Sequence, residues 1–203
     1  MFFTLEGIDG SGKTTASKIV VERLKKEGHD IILTREPGGD HIAEQLRKFI
    51  LSTDNSDIRP WTETMLYIAA RKQHVDTMIS PAIKSGKIVI CDRFMDSTTS
   101  YQGYGRKLDV DKIDKIQELL LEDNMPTKTF FFDIAPDKVV SRVNNRGELD
   151  RLEQEGLAFQ EKVYKGYKEL VRKYPNRFVT INADQVQEKV AEDLYKEITK
   201  VLK

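Results

Sequence analysis

The sequence of 203 residues has a single cysteine, no net charge and no long apolar run. The lone Cys91 cannot close a disulfide bond within the chain. Because 33 lysines and arginines balance 33 aspartates and glutamates, the chain as a whole does not attract DNA, RNA or anionic lipid. No apolar stretch approaches the roughly 20 residues of a membrane-spanning helix, and residues 1–6 lack the basic flank of a secretory signal. The composition therefore predicts a cytoplasmic protein with neither a nucleic-acid nor a membrane partner.

Short apolar runs alternate with long amphipathic stretches along the chain, which is typical of βαβ units on a parallel sheet. Five runs rich in β-branched or aromatic residues predict strands over residues 2–6, 31–35, 88–92, 129–133 and 178–182. Helices are predicted from Lys13 to Gly28, from near Pro60, from near Pro136 and over residues 186–202. No repeat or linker divides the sequence. We therefore expect one α/β domain over residues 1–203, with a five-stranded parallel sheet between two helical layers.

The strongest motif follows the first predicted strand directly. Residues 7–14 read GIDGSGKT, a full match to the P-loop pattern GxxxxGK[ST] between a strand and a helix. The glycines let backbone N–H groups turn inward around phosphate oxygens, and the helix presents its positive N-terminus. Lys13, expected in a solvent-facing loop, would reach the β- and γ-phosphates. The predicted ATP site consists of Gly7, Ile8, Asp9, Gly10, Ser11, Gly12, Lys13, Thr14 and Thr15.

Asp92 ends the third predicted strand, at the edge of the sheet where ligands bind in such folds. Together with the hydroxyl of Thr14 it predicts a Mg²⁺ site, with Asp92 holding the water shell of the ion. The alternative is that Asp92 only caps the following helix. Cys91 is predicted to be a small buried side chain without a chemical role. The three histidines lack metal-ligand spacing, so we expect them to be solvated.

A P-loop alone leaves kinases, GTPases and motor ATPases open, but the sequence contains no NKxD segment for reading guanine. A kinase also needs a cationic pocket for its acceptor. Four arginines stand at predicted strand ends or first helical turns: Arg35, Arg47, Arg71 and Arg93. Together with the turn of residues 36–39, they predict an anion-binding pocket at the same sheet edge.

With these motifs in order, the chain resembles the bacterial thymidylate kinases, which transfer a phosphoryl group from ATP to dTMP. The resemblance spans nearly the whole chain. It rests on the P-loop with Asp9 and on residues 34–39 (TREPGG), 66–71 (LYIAAR), 92–94 (DRF), 96–103 (DSTTSYQG) and 146–151 (RGELDR).

The resemblance implies roles for individual residues. Asp9 would lie near the acceptor sugar and phosphate, Arg47 and Arg93 would bind the dTMP phosphate, and Arg71 would read the thymine. Tyr101 and Gln102 would close around the deoxyribose and the base. The implied acceptor site as a whole is Asp9, Glu36, Pro37, Arg47, Tyr67, Arg71, Arg93, Ser97, Thr98, Tyr101 and Gln102, and the implied catalytic set is Asp9, Lys13, Arg93, Arg146 and Arg151.

Two positions depart from the family pattern. Tyr67 stands where the family commonly has a phenylalanine stacked on the base, and Ser100 replaces a small apolar residue. Stacking needs only a flat ring, so Tyr67 still fits this role if its hydroxyl finds a partner or water. Ser100 affects local packing more than chemistry.

Residues 142–156 interrupt the strand and helix pattern with mixed charges around Gly147. A solvated helix end with a loop is one interpretation of this composition. By the resemblance, the segment is a mobile lid that brings Arg146, or second Arg151, onto the transferring phosphoryl group. Three acids of this segment, Glu148, Asp150 and Glu153, would then hold the open form or the water shell of the metal.

The sequence therefore predicts a dTMP kinase that uses ATP and Mg²⁺, and the resemblance implies a homodimer. A thymidine kinase is the nearer alternative and would need a base such as Glu36 for a neutral hydroxyl acceptor. A regulatory P-loop switch is the alternative from another class, but it would leave the acceptor-side arginines unexplained.

Overall fold

A computed structural model describes residues 1–139 and 150–202 of the chain. In that part, a five-stranded sheet is formed by β1 (Phe2–Glu6), β2 (Ile31–Arg35), β3 (Ile88–Asp92), β4 (Lys128–Asp133) and β5 (Phe178–Asn182). The strands are all parallel and lie in the order β2-β3-β1-β4-β5. The predicted α/β sheet is confirmed, and the one shifted boundary is the start of β4 at Lys128.

Helices connect the strands. They are α1 (Lys13–Lys26), α2 (His41–Leu51), α3 (Pro60–His74), α4 (Ser80–Lys84), α5 (Met95–Thr98), α6 (Val110–Leu121), α7 (Leu157–Lys173) and α8 (Gln187–Leu202). Short π-helical segments extend α3 over Val75–Ile79 and α5 over Thr99–Gly105. No helix in the described ranges is long and apolar enough to cross a membrane.

The predicted helix starts at Lys13 and Pro60 are confirmed. The first helix ends at Lys26, and Gly28 follows with a φ of 93°, a left-handed conformation that glycine adopts without steric cost. Pro136 begins a 3₁₀ turn over Pro136–Lys138, and the helix predicted from near Pro136 stays a prediction, because the chain is described only to Val139 and again from Asp150. Residues 140–149 lie outside the described ranges.

Alternate residues of β1 and β3 pack into two separate cores, one on each face of the sheet. Phe3 of β1 belongs to a cluster that includes residues of α1, α7 and α8, whereas Phe2 packs with Phe94 and with Val75 after α3. This alternation follows from the two-residue period of a strand. Because helices cover both faces, the carboxyl ends of the strands remain as an edge on which a ligand can bind.

That edge brings together chain segments that are far apart in the sequence. Asp92 at the end of β3 lies beside Leu5 of β1 and Arg35 of β2 in the parallel register. The chain leaves β1 toward β2 on one side, while β4 flanks β1 on the other side. Such a reversal of strand order opens a crevice at the carboxyl edge of an α/β sheet.

The hydroxyl of Ser100 provides a stability test, because its buried Oγ has no hydrogen-bond partner in the described structure. An unsatisfied buried hydroxyl costs about 1–3 kcal/mol, so Ser100→Ala should leave the free energy of unfolding unchanged or raise it by about 1 kcal/mol. The neighbouring Thr99 is the matched control, since its hydroxyl donates to Asp114 at 2.7 Å and accepts from Gln117 at 3.2 Å. Thr99→Val should lower the free energy of unfolding by about 1–3 kcal/mol.

Urea denaturation of the two variants measures both effects. Destabilisation of Ser100→Ala by as much as Thr99→Val would contradict the assignment of an unpaired hydroxyl.

Candidate active site

The P-loop after β1 has the shape that its glycines permit. Gly7, Gly10 and Gly12 have φ values of 143°, 81° and 89°, which residues with a Cβ rarely adopt. Gly7 also has no room for a side chain, because a Cβ there would lie 2.9 Å from the carbonyl oxygen of Phe132. The loop therefore brings its backbone close to β4 while turning toward the N-terminus of α1, where anions bind.

Lys13 is held inside this loop. Its Nζ donates to the carbonyl oxygens of Gly7 at 2.9 Å and Ile8 at 3.0 Å and to Oγ of Ser11 at 3.2 Å. The expectation of a solvent-facing position is wrong: Lys13 is the first residue of α1 and is buried, because the loop wraps around its amine. Burial and the nearby Arg93 lower the pKa of Lys13 to about 8.

Thr14 and Asp92 meet at the predicted metal site. The Thr14 hydroxyl donates to Oδ2 of Asp92 at 2.6 Å. The other carboxylate oxygen, Oδ1, is buried and has no hydrogen-bond partner among the described residues. A hydroxyl beside a carboxylate with a spare oxygen is the hard oxygen donor set that Mg²⁺ prefers, so these two residues fit the ion.

Asp9 and Arg93 join the P-loop to the end of β3. Nη2 of Arg93 donates to Oδ1 of Asp9 at 2.7 Å, and the hydroxyl of Tyr101 donates to Oδ2 at 2.7 Å. Burial acts to raise the pKa of Asp9, but the charges of Arg93 and Lys13 outweigh it and lower the pKa to about 2. Asp9 is therefore an anion at neutral pH and keeps Arg93 at the mouth of the P-loop.

Arg71 of α3 forms the opposite wall. Its Nε donates to Glu36 at 2.7 Å, and Nη2 donates to the carbonyl oxygen of Phe94 at 3.0 Å. Nη1 donates to both Thr98 and Gln117. A guanidinium has five N–H donors, so one N–H of Nη2 is left without a partner in the described structure. Arg71 can therefore donate one hydrogen bond to a ligand in the cavity without breaking its protein contacts.

His74 is not solvated as expected. It is fully buried, with Nε2 2.9 Å from the hydroxyl of Thr34 and Nδ1 3.1 Å from Oε1 of Glu36. The missing Cβ of Gly39 makes room for the ring, since that atom would lie 2.2 Å from Nε2. The end of β2 thus supplies polar partners that the spacing of the histidines does not reveal.

Glu36, His74 and Cys91 bring three potential metal-ligand atoms within 4.8 Å of one another. All three side chains have hydrogen-bond partners: Glu36 pairs with Arg71, His74 contacts Thr34, and the thiol of Cys91 donates to the carbonyl oxygen of Arg93 at 3.1 Å. Cys91 is buried as predicted, and burial with nearby acidic groups raises the pKa of its thiol. A protonated thiol is a poor ligand, so the arrangement is explained by the support of Arg71 rather than by a metal.

Two further arginines add positive charge at the end of the cavity where Arg71 lies. Arg47 of α2 donates to the carbonyl oxygen of Pro37 at 2.9 Å, while Arg35 pairs with Glu44. Burial and the neighbouring Arg35 lower the pKa of Arg47. A bound anion would raise the pKa of Arg47 again. Its negative charge stabilises the protonated guanidinium in place of the water lost on burial, and it offsets the positive charge of Arg35.

The P-loop and the arginines open into one cavity of about 250 Å³. Most predicted site residues line it: Asp9, Gly10, Gly12, Lys13, Thr14, Thr15, Glu36, Pro37, Arg47, Tyr67, Arg71, Asp92, Arg93, Ser97, Thr98, Tyr101 and Gln102. Gly7, Ile8 and Ser11 do not line the cavity but contact Lys13. Asp150 and Glu153, two of the acids predicted to hold the open form of the lid or the water shell of the metal, also contribute to its wall. Leu51 and Leu152 do so as well, although no motif indicated them.

The two arginines predicted for the lid are Arg146 and Arg151. Arg146 lies outside the described residues. Arg151 is buried outside the cavity lining, with Nη1 2.6 Å from Glu63 and Nε 2.9 Å from the carbonyl oxygen of Ile50. Its Nη2 is buried and has no hydrogen-bond partner among the described residues, so neither a phosphate contact nor a structural role alone is shown, and its catalytic role stays a prediction.

A phosphate-binding loop beside a separate cationic pocket suits transfer of a phosphoryl group to an anionic acceptor. This places the chain in the class of ATP-dependent nucleoside monophosphate kinases.

The comparisons with known proteins specify the family. A family model described as Thymidylate kinase matches residues 5–194. A thymidylate kinase of Exiguobacterium sp. strain AT1b is 45% identical over 194 residues, which cover 96% of this chain and 92% of that protein. A thymidylate kinase of Clostridium novyi strain NT is 46% identical over 195 residues, which cover 95% of this chain and 95% of that protein. The crystal structure of thymidylate kinase from Ehrlichia chaffeensis matches with a TM-score of 0.78 at 34% identity, covering 100% of this chain and 97% of that one. The chain belongs to the thymidylate kinase family.

The lowered pKa of Lys13 predicts how ATP binding depends on pH. In the free protein the amine loses its proton as the pH rises through about 8. Phosphates favour the charged amine, so ATP binding should take up close to one proton at about pH 9, and affinity should fall as the pH rises above 8. Calorimetric titrations in buffers of different ionisation enthalpy measure this uptake.

Lys13→Arg is the matched control, because arginine stays protonated at this pH. Its proton uptake should vanish. If the parent protein takes up no proton at that pH, the lowered pKa is contradicted.

Proposed function

We propose that this chain transfers the γ-phosphoryl group of ATP to the 5′-phosphate of dTMP, giving ADP and dTDP. The observation that carries the proposal is the shared cavity, in which the P-loop and the arginine pocket face each other. Two anionic substrates can thus bind in the same cavity, so that the phosphoryl group passes directly from one to the other. Membership of the thymidylate kinase family supports dTMP as the acceptor.

The donor half binds the triphosphate by electrostatics. The backbone of the P-loop and the N-terminus of α1 would cradle the phosphates, and Lys13 would exchange its carbonyl contacts for phosphate oxygens. Thr14 and Asp92 would hold Mg²⁺, which when bound neutralises charge on the β- and γ-phosphates. The protein itself contributes position and fixed charge.

The acceptor half holds dTMP in line with the donor. Arg47 and Arg93 would bind the acceptor phosphate, and the unpaired N–H of Arg71 would donate to a thymine carbonyl, with Tyr67 stacked on the ring. Tyr101 would contact the deoxyribose, with Gln102 at the base. A phosphate dianion is already a nucleophile, so this reaction needs no general base.

The contacts of Glu36 argue against a thymidine kinase. Its carboxylate is buried between Arg71 at 2.7 Å and His74 at 3.1 Å. A base for a neutral hydroxyl acceptor needs to reach that hydroxyl and to accept its proton. Both oxygens of Glu36 already accept hydrogen bonds, so the residue serves better as a support for Arg71.

We further propose that the chain is one domain that works as a homodimer in the cytoplasm. Ile42 and Phe49 lie one heptad apart on α2 and are about half exposed, as is Met65 on the adjacent α3. An apolar surface on two packed helices suits an interface between identical copies. Sedimentation velocity of the purified chain distinguishes a dimer from a monomer.

The catalytic role of Arg146, in a lid over residues 142–156, is also part of the proposed function.

A panel of acceptors tests the proposed reaction. With ATP and Mg²⁺, we expect ADP formation to depend on an added nucleoside monophosphate and to be fastest with dTMP among dTMP, dCMP, AMP and GMP. Faster turnover of thymidine than of dTMP would favour the nucleoside kinase. A slow rate that no acceptor changes would favour a regulatory switch.

Substitution of Arg71 tests the acceptor end of the cavity. Arg71→Lys keeps a charge beside Glu36 but loses the planar fork, so the KM for dTMP should rise at least about tenfold while the KM for ATP stays within about twofold. Steady-state kinetics with each substrate varied measure the split.

The control is Arg177→Lys, since Arg177 is also paired with a buried carboxylate, Asp96, but lies outside the cavity lining. It should lower stability without changing either KM. Equal weakening of both substrates by Arg71→Lys would mean that Arg71 is structural.

A further inference from the structure

Glu6, the last residue of β1, is a buried acid that the proposed chemistry does not use. Its side chain is fully buried, and its carboxylate accepts four hydrogen bonds. Oε1 accepts from the backbone N–H groups of Phe94 at 2.7 Å and Ser97 at 3.2 Å, and Oε2 accepts from the hydroxyls of Ser97 at 2.6 Å and Tyr167 at 2.8 Å. Three of the four donors belong to Phe94 and Ser97, in the turn after β3 and the first turn of α5 that continues it.

That turn contains an arginine in a rarely adopted conformation. Arg93 has a φ of 71°, in the left-handed region where the Cβ of a non-glycine residue is crowded. Both peptide groups around it are held by the end of β1. The N–H of Arg93 donates to the carbonyl oxygen of Leu5 at 2.9 Å, and the next N–H, of Phe94, donates to Glu6.

The left-handed conformation turns the guanidinium toward the P-loop. Nη2 of Arg93 donates to Asp9, and Nη1 donates to the carbonyl oxygen of Gly7 at 2.9 Å. Nη1 also lies 3.2 Å from the Ser97 hydroxyl and 3.3 Å from the Tyr167 hydroxyl, the same two groups that contact Glu6. The carboxylate of Glu6 therefore orders both the backbone beneath Arg93 and the hydroxyls beside its side chain.

We propose that Glu6 is a positioning residue for Arg93, holding the turn after β3 so that the guanidinium faces the acceptor phosphate. The choice of dTMP as the probe rests on the proposed function. Glu6 itself would touch neither nucleotide, because it does not line the cavity and all four of its hydrogen bonds are to protein groups.

Burial of an ionisable side chain such as that of Glu6 is energetically unfavourable, which supports a specific role for it. Burial, followed by the charge of Asp96, raises the pKa of Glu6 above its ordinary value. A leucine or glutamine would fill a similar volume without a buried ionisable group. Only an acid offers two acceptor oxygens to four donors, which is what the turn requires.

A double-mutant cycle on the binding of dTMP tests the proposal. Glu6→Leu removes every acceptor and should raise the Kd for dTMP about tenfold in the parent chain, but less than about twofold in the Arg93→Ala background. The Kd for ATP should change less than about twofold in both. Titration calorimetry measures binding without turnover, so the loss of Arg93 does not obscure the result.

Two controls separate positioning from general stability. Asp114→Leu removes another buried acid, bonded to Thr99 and Lys173 outside the cavity, and should lower stability without changing the Kd for dTMP. Glu6→Gln keeps one oxygen for the two backbone N–H groups and should restore the Kd for dTMP to within about threefold of the parent. If Glu6→Leu does not fold, the cycle is run with Glu6→Gln, whose smaller effect should also disappear without Arg93.

An equal effect of the Glu6 substitution with and without Arg93 would overturn the proposal, as would an unchanged Kd for dTMP in folded Glu6→Leu. Failure of the parent chain to bind dTMP would instead contradict the proposed function, so the two failures are distinct.

Discussion

The ion pair between Asp9 and Arg93 is the interaction on which the two halves of the site depend. It joins the P-loop after β1 to the turn after β3, two strands that are neighbours in the sheet. Arg93 also donates to the carbonyl oxygen of Gly7, so the first glycine of the loop and the acceptor-side arginine share one contact network. The phosphate-binding loop and the cationic pocket are therefore held at a fixed distance before any nucleotide binds.

Buried charge is abundant around this pair, and most of it is compensated. Lys13 has three oxygen partners, Glu36 lies between Arg71 and His74, and the buried Glu63 pairs with Arg151. Removing one partner from such a network leaves an uncompensated charge, which costs more than the pair contributes. Such preorganised charge suits phosphoryl transfer, in which the protein supplies position and electrostatic stabilisation rather than covalent chemistry.

The sequence predicted most of the fold because its strand signals are local. Four of the five strands have the predicted bounds, and the helix after the P-loop begins at Lys13 as its motif requires. Most of the predicted site residues also line the cavity, since arginines and acids at strand ends converge on one sheet edge. The roles of the individual residues at that edge came from the resemblance to a known family.

The supporting residues could not be found in this way because their partners are distant in the chain. Glu6 meets Tyr167 across 161 positions, and Arg151 contacts Ile50 across 101. His74 was expected in solvent, since nothing near it in sequence indicates Thr34 and Glu36 as its partners. Such buried polar contacts arise only from tertiary structure, which neither spacing nor composition encodes.

A crystal structure with dTMP and a non-hydrolysable ATP analogue tests the central claim most directly, namely that one cavity holds both nucleotides face to face. We expect the triphosphate to bind in the loop of residues 7–14, the dTMP phosphate to contact Arg93 and the thymine to lie beside Arg71. Electron density for dTMP phosphate in the P-loop itself, or for the base away from Arg71, would contradict it.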